Sequence, residues 1–417
     1  MNTKKAPISV GLILTILCAG LLLQGAGDSH MASFLSEHAQ RVGMSTMQYG
    51  IIMGTNSVVA ITVLPLIPKF TMLNIISDKC FLIIGYLIDA TAMLAITSVD
   101  FLGLTGSSFF FALLALRIVQ SVGASIGFTL VYSVSGVELP DHSHLTVPFL
   151  ETMYGTGLTL GPAISGALYD LGGFPLPFTY HSAMLFGLAF VAGRFLPQHA
   201  PADSEEERGL SLKKMLRPTI LICMLMVATS NIVDTFNDST LAMLLHRFSL
   251  PTTLVGLSFF LSAGSYTASS LVSGLLSDGP HRQLVLLICP LITIISLIFL
   301  APLVPMAEHP LWLVYICQLL LGLSVGPMYV YCYLLTVADL TSISDNKTAH
   351  TATAAVTNWS AFVGCFIGPV MGNFIIENRS YHDATLVVTL ITAGSTLIYS
   401  VYLARRSCLR KPVQQMV

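Results

Sequence analysis

The stretch Gly155-Thr156-Gly157-Leu158-Thr159-Leu160-Gly161-Pro162-Ala163-Ile164-Ser165-Gly166, running on into Ala167-Leu168-Tyr169-Asp170, decides the fold. Read as a helix, it has one face with almost no side chain, because Gly157, Gly161 and Gly166 recur every four or five residues. Such a face lets a neighbouring helix backbone approach closely. Pro162 removes a backbone donor inside the run and predicts a kink. Further along, Gly364-Cys365-Phe366-Ile367-Gly368-Pro369-Val370-Met371-Gly372 repeats the pattern. One run alone is weak evidence. Two at equivalent places in the chain mark an internal repeat.

The surroundings of both runs are apolar. The 417 residues are 54% hydrophobic and 10% charged, and the mean hydropathy is +0.78. Soluble domains carry roughly 25% charged residues, so much of this surface must face lipid. A spanning helix needs about 20 apolar residues. Apolar runs fall at about 8–27, 47–68, 80–99, 107–132, 148–169 and 178–196, then at about 217–244, 253–276, 284–305, 311–336, 350–375 and 384–403. The glycine runs therefore lie in the fifth and eleventh spans. A polar stretch with Glu205, Glu206, Glu207, Lys213 and Lys214 separates the two sets. The chain divides into a six-helix half at 1–196, a linker at 197–216, a second half at 217–404 and a tail at 405–417. The fold class is an all-α membrane protein of twelve transmembrane helices in two six-helix halves.

Several function classes drop out. The net charge of −2 provides no basic field for nucleic acid. The eight cysteines form no CxxC pair and read as small core hydrophobes, not as a metal site or disulfide framework. Spans and short loops leave no room for a soluble catalytic domain, and no nucleophile triad, metal cluster or phosphate loop stands in a confirming context. The expectation is a transporter, not an enzyme, with no cofactor. Lys4, Lys5, Lys69, Lys79, the linker, Arg282, Lys347 and the tail fall on one side of the membrane, against Arg41, Arg247 and Arg379 on the other. That asymmetry puts both termini in the cytoplasm.

The motifs carry a resemblance. The fifth-span run resembles the antiporter motif of the major facilitator superfamily. The longer string from Leu150-Glu151-Thr152 through Gly161-Pro162 to Tyr169-Asp170 and Pro177-Phe178 is similar to the vesicular amine transporter family, solute carrier family 18, and nearest its polyamine branch. Arg117-Ile118-Val119-Gln120-Ser121-Val122-Gly123 matches the fourth-span pattern Arg-x-x-Gln-Gly-x-Gly of the superfamily. Asn231 and Asp238 match the seventh-span segment, and Gly274 to Asp278 matches the motif before the ninth span. The resemblance implies the major facilitator fold and a vesicle or other intracellular membrane, with the plasma membrane as the alternative. It also implies exchange of an organic cation for protons by rocking of the two halves. The monoamine and acetylcholine branches carry aspartates in the first, tenth and eleventh spans. Here the corresponding places read as Gln24, Tyr329 and Asn358, which argues against those substrates and leaves the proton route open. An uncoupled facilitator or exporter of a drug-like cation or neutral metabolite is the alternative. The expected partners are a small organic cation, protons and the bilayer, with the chain acting as a monomer.

The candidate site residues are those whose charge is costly in lipid, at least ~2.5–3.5 kcal/mol on insertion scales. They are Asp89, Arg117, Glu151, Asp234 and Asp238. Four acids against one base suit a cation. Glu151 and Arg117 lie in adjacent spans, which permits a static ion pair or a proton site released from the guanidinium during the cycle. Asp234 and Asp238, four apart with Asn231 on the same face, suit the separated ammonium groups of a polyamine. The other reading puts Asp238 in water at the end of its span. Tyr329 and Asn358 either line the cavity or pack. Gly157, Gly161, Pro162, Gly368, Pro369 and Asp278 are the expected conformational elements. His30 and His38 flank the exit of the first span and stand as pH-sensing candidates.

Overall fold

The structure, a computed structural model, describes residues 10–67, 70, 76–139, 143–197, 217–276, 281–301, 310–342 and 346–414. These residues form thirteen α-helices. They are α1 (Val10–Ser29), α2 (Leu35–Arg41), α3 (Thr46–Val63), α4 (Asp78–Phe101), α5 (Gly106–Glu138), α6 (Ser143–Gly172), α7 (Pro175–Phe195), α8 (Pro218–His246), α9 (Thr252–Leu275), α10 (His281–Leu300), α11 (Leu311–Thr341), α12 (Asn346–Asn378) and α13 (Tyr381–Gln414). All but the seven-residue α2 have membrane length, so the twelve expected spans are twelve helices, and α2 is a short addition beyond the first.

Ten of the twelve are apolar enough by composition to cross a membrane. The other two are α3 and α6. Gln48 and Asn56 dilute the hydropathy of α3, and the glycines and threonines of α6 dilute its own. Large apolar side chains point outward from several helices: Phe101, Leu171, Phe190 and Leu275 are between 75% and 83% exposed. In water such a surface would aggregate, and in a bilayer it is solvated.

The chain forms two compact units: Met1–Glu207 with Leu241–Phe260, and Arg208–Thr240 with Leu261–Val417. In the first, Ile16, Leu17 and Leu21 of α1 are buried with Leu82, Tyr86, Leu130, Leu150 and Leu185. Asp170, near the end of α6, caps α9 by accepting bonds from the backbone N–H groups of Thr252 (3.2 Å) and Thr253 (2.7 Å). In the second unit Cys223, Cys289 and Cys332 pack with Met226, Met328, Tyr331 and Tyr399. The seven cysteines at described positions form no disulfide.

The glycine runs do what their spacing predicts. A methyl group at Gly157 would meet the carbonyl of Leu22 and sit 2.7 Å from the amide nitrogen of Ala26 in α1. At Gly161 it would lie 2.8 Å from the Ala26 carbonyl oxygen. Gly25 of α1 returns the contact: its methyl would stand 2.9 Å from the Leu158 amide nitrogen. The second unit repeats this between α12 and α8. A methyl at Gly364 would lie 2.8 Å from the Asn231 Cβ, and one at Gly368 would lie 2.7 Å from the Ile232 carbonyl oxygen. Both helices continue through their prolines, Pro162 and Pro369.

Gly157→Val adds three carbons, beginning with a Cβ that already meets main chain, at a cost of about 1–3 kcal/mol or more. It is expected to lower the thermal unfolding midpoint of the detergent-purified protein by several degrees. Gly155, in the same motif, has open space where its side chain would be. Gly155→Ala is expected to keep or slightly raise that midpoint, because alanine favours the helix by about 1 kcal/mol.

Candidate functional site

The close crossing of α1 and α6 sets the first group of polar contacts. Tyr154 lies one turn before Gly157, and Asp28 lies just beyond Ala26. Their helices meet backbone to backbone, so the Tyr154 hydroxyl reaches the Asp28 carboxylate and donates to Oδ2 at 2.9 Å. From α3, Asn56 Nδ2 donates to Oδ1 at 3.0 Å. Buried Gln24 stands one turn earlier on α1. Among the described residues no basic side chain comes within ion-pair distance of Asp28. The sequence reading ended the first span at about 27 and gave Gln24 as the nearest place to an amine-binding aspartate; the helix runs to Ser29 and includes Asp28. The first helix does carry an acid, at a place where the apolar run had been expected to end. The signal was in the sequence: Gln24-Gly25-Ala26-Gly27-Asp28 continues the helical spacing past the last leucine.

The second group centres on Arg117, 2% exposed, in α5. Its Nη1 donates to Gln120 Oε1 at 2.5 Å, and Gln120 Nε2 donates to Asp89 Oδ1 of α4 at 2.8 Å. Gly123 makes this reach possible. A methyl there would be 2.5 Å from the Asp89 amide nitrogen, so α4 and α5 touch main chain to main chain one turn from Gln120. The Arg-x-x-Gln-x-x-Gly spacing is thus a charge, a relay and a close approach on one helix face.

Glu151 does not pair with Arg117, contrary to one of the sequence expectations. Its Oε1 accepts from Tyr132 Oη at 2.7 Å, and its side chain is exposed while Arg117 is buried. The physical reason is depth: Glu151 lies level with Tyr132, fifteen residues along α5 from Arg117, about 22 Å along the helix axis.

In the second unit Asp234 and Asp238 are both half-buried on α8, within the helix and short of its end at His246. Asn231 is occupied otherwise. Its Nδ2 donates to the Val227 carbonyl (2.9 Å), and its Oδ1 takes a weak bond from Cys365 Sγ (3.4 Å). Tyr329 Oη donates to Asn358 Oδ1 at 3.0 Å, joining α11 to α12. Tyr331 is buried in the core, whereas Trp359 is exposed. Gly157, Gly161, Gly368 and their prolines sit in the helix crossings. Asp278 lies outside the described residues.

His38 belongs to α2. Its ring stacks on Phe174 at 4.1 Å, and Nε2 lies 3.3 Å from Asp100 Oδ1. Burial pushes this imidazole below the ordinary histidine pKa, with the Asp100 charge opposing. No group of three or more metal-ligating side chains occurs among the described residues.

The chain matches the Major Facilitator Superfamily over residues 17–369. It is 25% identical over 371 residues to the mouse protein named MFS-type transporter SLC18B1, covering 87% of this chain and 80% of that one. The rat protein of the same name is 26% identical over 398 residues, covering 93% and 86%. Among solved structures, a bacterial homolog of the human lysosomal transporter Spinster superposes with a TM-score of 0.76 at 12% identity, covering 96% of this chain and 98% of that one. The nucleoside transporter NupG superposes with a TM-score of 0.72 at 13% identity, covering 94% and 98%. At those identities the solved structures share the fold alone. Two glycine-crossed units of membrane-length helices, the Arg117 relay and the match over most of the chain agree: the chain belongs to the major facilitator superfamily and is a multi-pass membrane transporter, not an enzyme.

Proposed function

We propose that this transporter exchanges an organic cation of the polyamine class for protons by alternating access. The observation that carries the reading is the state of Asp28. It is a carboxylate within a membrane helix, held directly by neutral donors, with no cation at ion-pair distance and the charge of Arg117 acting on it only from farther off. An uncompensated carboxylate in a membrane interior is costly. Neutral donors fix its position without neutralising it. The group therefore gains from either of two cations, a proton or a substrate ammonium, and binds one at the expense of the other. That competition is the elementary step of amine–proton exchange.

The remaining acids support the same chemistry. Asp234 and Asp238 lie four residues apart on α8, about 6 Å between Cβ atoms, a spacing that by itself suits the separated ammonium groups of a polyamine. Glu151 is exposed and positioned by Tyr132. Arg117 bonds Gln120 and forms no direct ion pair with these acids. The likeness to the family 18 transporters points to amines as the substrate class. The same family supports a vesicle membrane as the location, and the asymmetry of Lys and Arg supports a cytoplasmic site for both termini.

The test is uptake of labelled spermidine into proteoliposomes of the purified protein, with and without an inside-acid gradient. Gradient-driven accumulation is expected. Asp28→Asn is expected to reduce it at least tenfold while leaving the unfolding midpoint within a few degrees of wild type. Glu151→Gln and Asp238→Asn are expected to abolish gradient-driven uptake as well; full uptake by both would remove the assignment of these acids.

Tyr154→Phe deletes one hydrogen bond to a charged acceptor, worth about 1.5–3 kcal/mol. It is expected to raise the spermidine concentration for half-maximal uptake roughly ten- to hundredfold. An unchanged value would place Asp28 outside the amine site.

A further inference from the structure

The turn after α1 carries a second titratable group that the amine site does not use. His30 and His181 are both buried, at 3% and 5% exposure. Their rings stack 6° from parallel with centroids 5.6 Å apart. His30 Nδ1 lies 2.8 Å from the Gly27 carbonyl oxygen. A carbonyl only accepts, so Nδ1 carries the hydrogen and the neutral ring presents a bare lone pair at Nε2. That Nε2 is buried and has no hydrogen-bond partner. His181 Nε2 is buried and without a partner as well. It rests against Gly27, 2.8 Å from where a side-chain carbon would be. Both rings are thus registered to one glycine, the residue before Asp28.

Two unpartnered imidazole nitrogens in a protein interior are unusual, since buried polar atoms are nearly always satisfied. Their surroundings argue against a packing role alone. Phe178 closes one side, edge-on to His30 at 5.2 Å. Ser165 of α6 is engaged with the His30 carbonyl at 2.7 Å. The charged groups on the neighbouring elements are Asp28 on α1, Asp89 on α4, held by Gln120, and Arg117 on α5, whose field reaches both rings.

We propose that the His30–His181 pair is a second proton station, which takes up a proton in addition to the one that competes with the amine at Asp28. The inference rests on the amine–proton exchange proposed above. The step is a simple proton transfer: a hydronium ion loses a proton to an imidazole Nε2 and leaves water, and an imidazolium forms. That positive charge lies within a helical turn of Asp28. It opposes an ammonium at the carboxylate, so proton uptake and amine release are coupled by charge.

The experiment compares two measurements in the same vesicles for wild type, His30→Gln, His181→Gln and the double variant. One is spermidine accumulation driven by an inside-acid gradient. The other is spermidine counterflow without a gradient, which needs the carrier cycle but no net proton movement. The proposal expects accumulation to fall at least tenfold in the double variant while counterflow stays within twofold of wild type. Retained accumulation overturns it. Loss of both overturns it too, because the pair is then needed for carriage itself. A wild type that accumulates spermidine without regard to the gradient overturns proton exchange first, and the station with it.

Discussion

Close approach of main chains, made possible by missing side chains, is the constraint on which the rest depends. In lipid there is little hydrophobic drive to bring helices together, so association relies on packing and hydrogen bonds. The α1–α6 crossing shows what that demands: glycines on both helices, with carbonyls and amides in each other's van der Waals shell. The α8–α12 crossing meets the same demand with Gly364 and Gly368. In the first unit such crossings bring polar side chains within reach of one another. Tyr154 reaches Asp28 only because the backbones beneath them touch. Gln120 reaches Asp89 because Gly123 removes a side chain one turn away.

The two polar groups of the first unit divide the electrostatic work. Around Arg117 a permanent cation is tied through Gln120 to Asp89, and breaking a buried charge network costs about 3–5 kcal/mol. Around Asp28 the direct ligands are neutral, and the charge of Arg117 acts from beyond ion-pair distance. On the function proposed above, the first group is the fixture and the second the receptor. Glu151 falls on the receptor side of this division, with a tyrosine for a partner and solvent access.

Most of the fold was legible in the sequence. Apolar runs of membrane length, the polar break at mid-chain and the repeated glycine spacing each follow from a single physical demand of the bilayer, and each leaves a pattern that one chain displays. The site was legible only in part. Arg117, Asp89, Asp234 and Asp238 were visible as charges stranded in apolar surroundings. Asp28 was not, because it stands at the end of an apolar run, where an acid ordinarily means the start of a loop. The pairing of Glu151 was misjudged for a related reason. Adjacency of helices says which elements meet, but a pair also needs a common depth, and Glu151 lies level with Tyr132, fifteen residues along α5 from Arg117. His30 and His181 lie far apart in the chain, and no periodicity announces that their rings meet.

The glycine face of α6 also bears on how the protein is made. A helix whose hydropathy is lowered by glycine gains less from entering lipid alone. Its complementary surface is α1, which ends at Ser29, whereas α6 begins at Ser143. At roughly 5–20 residues per second of synthesis, α1 precedes its partner by on the order of ten seconds. During that interval Gly25, Gly27 and Asp28 sit on a helix without the surface that later covers them. Biogenesis of this transporter thus includes a waiting period, in which an incomplete helix must be kept from other partners until the fifth membrane helix arrives.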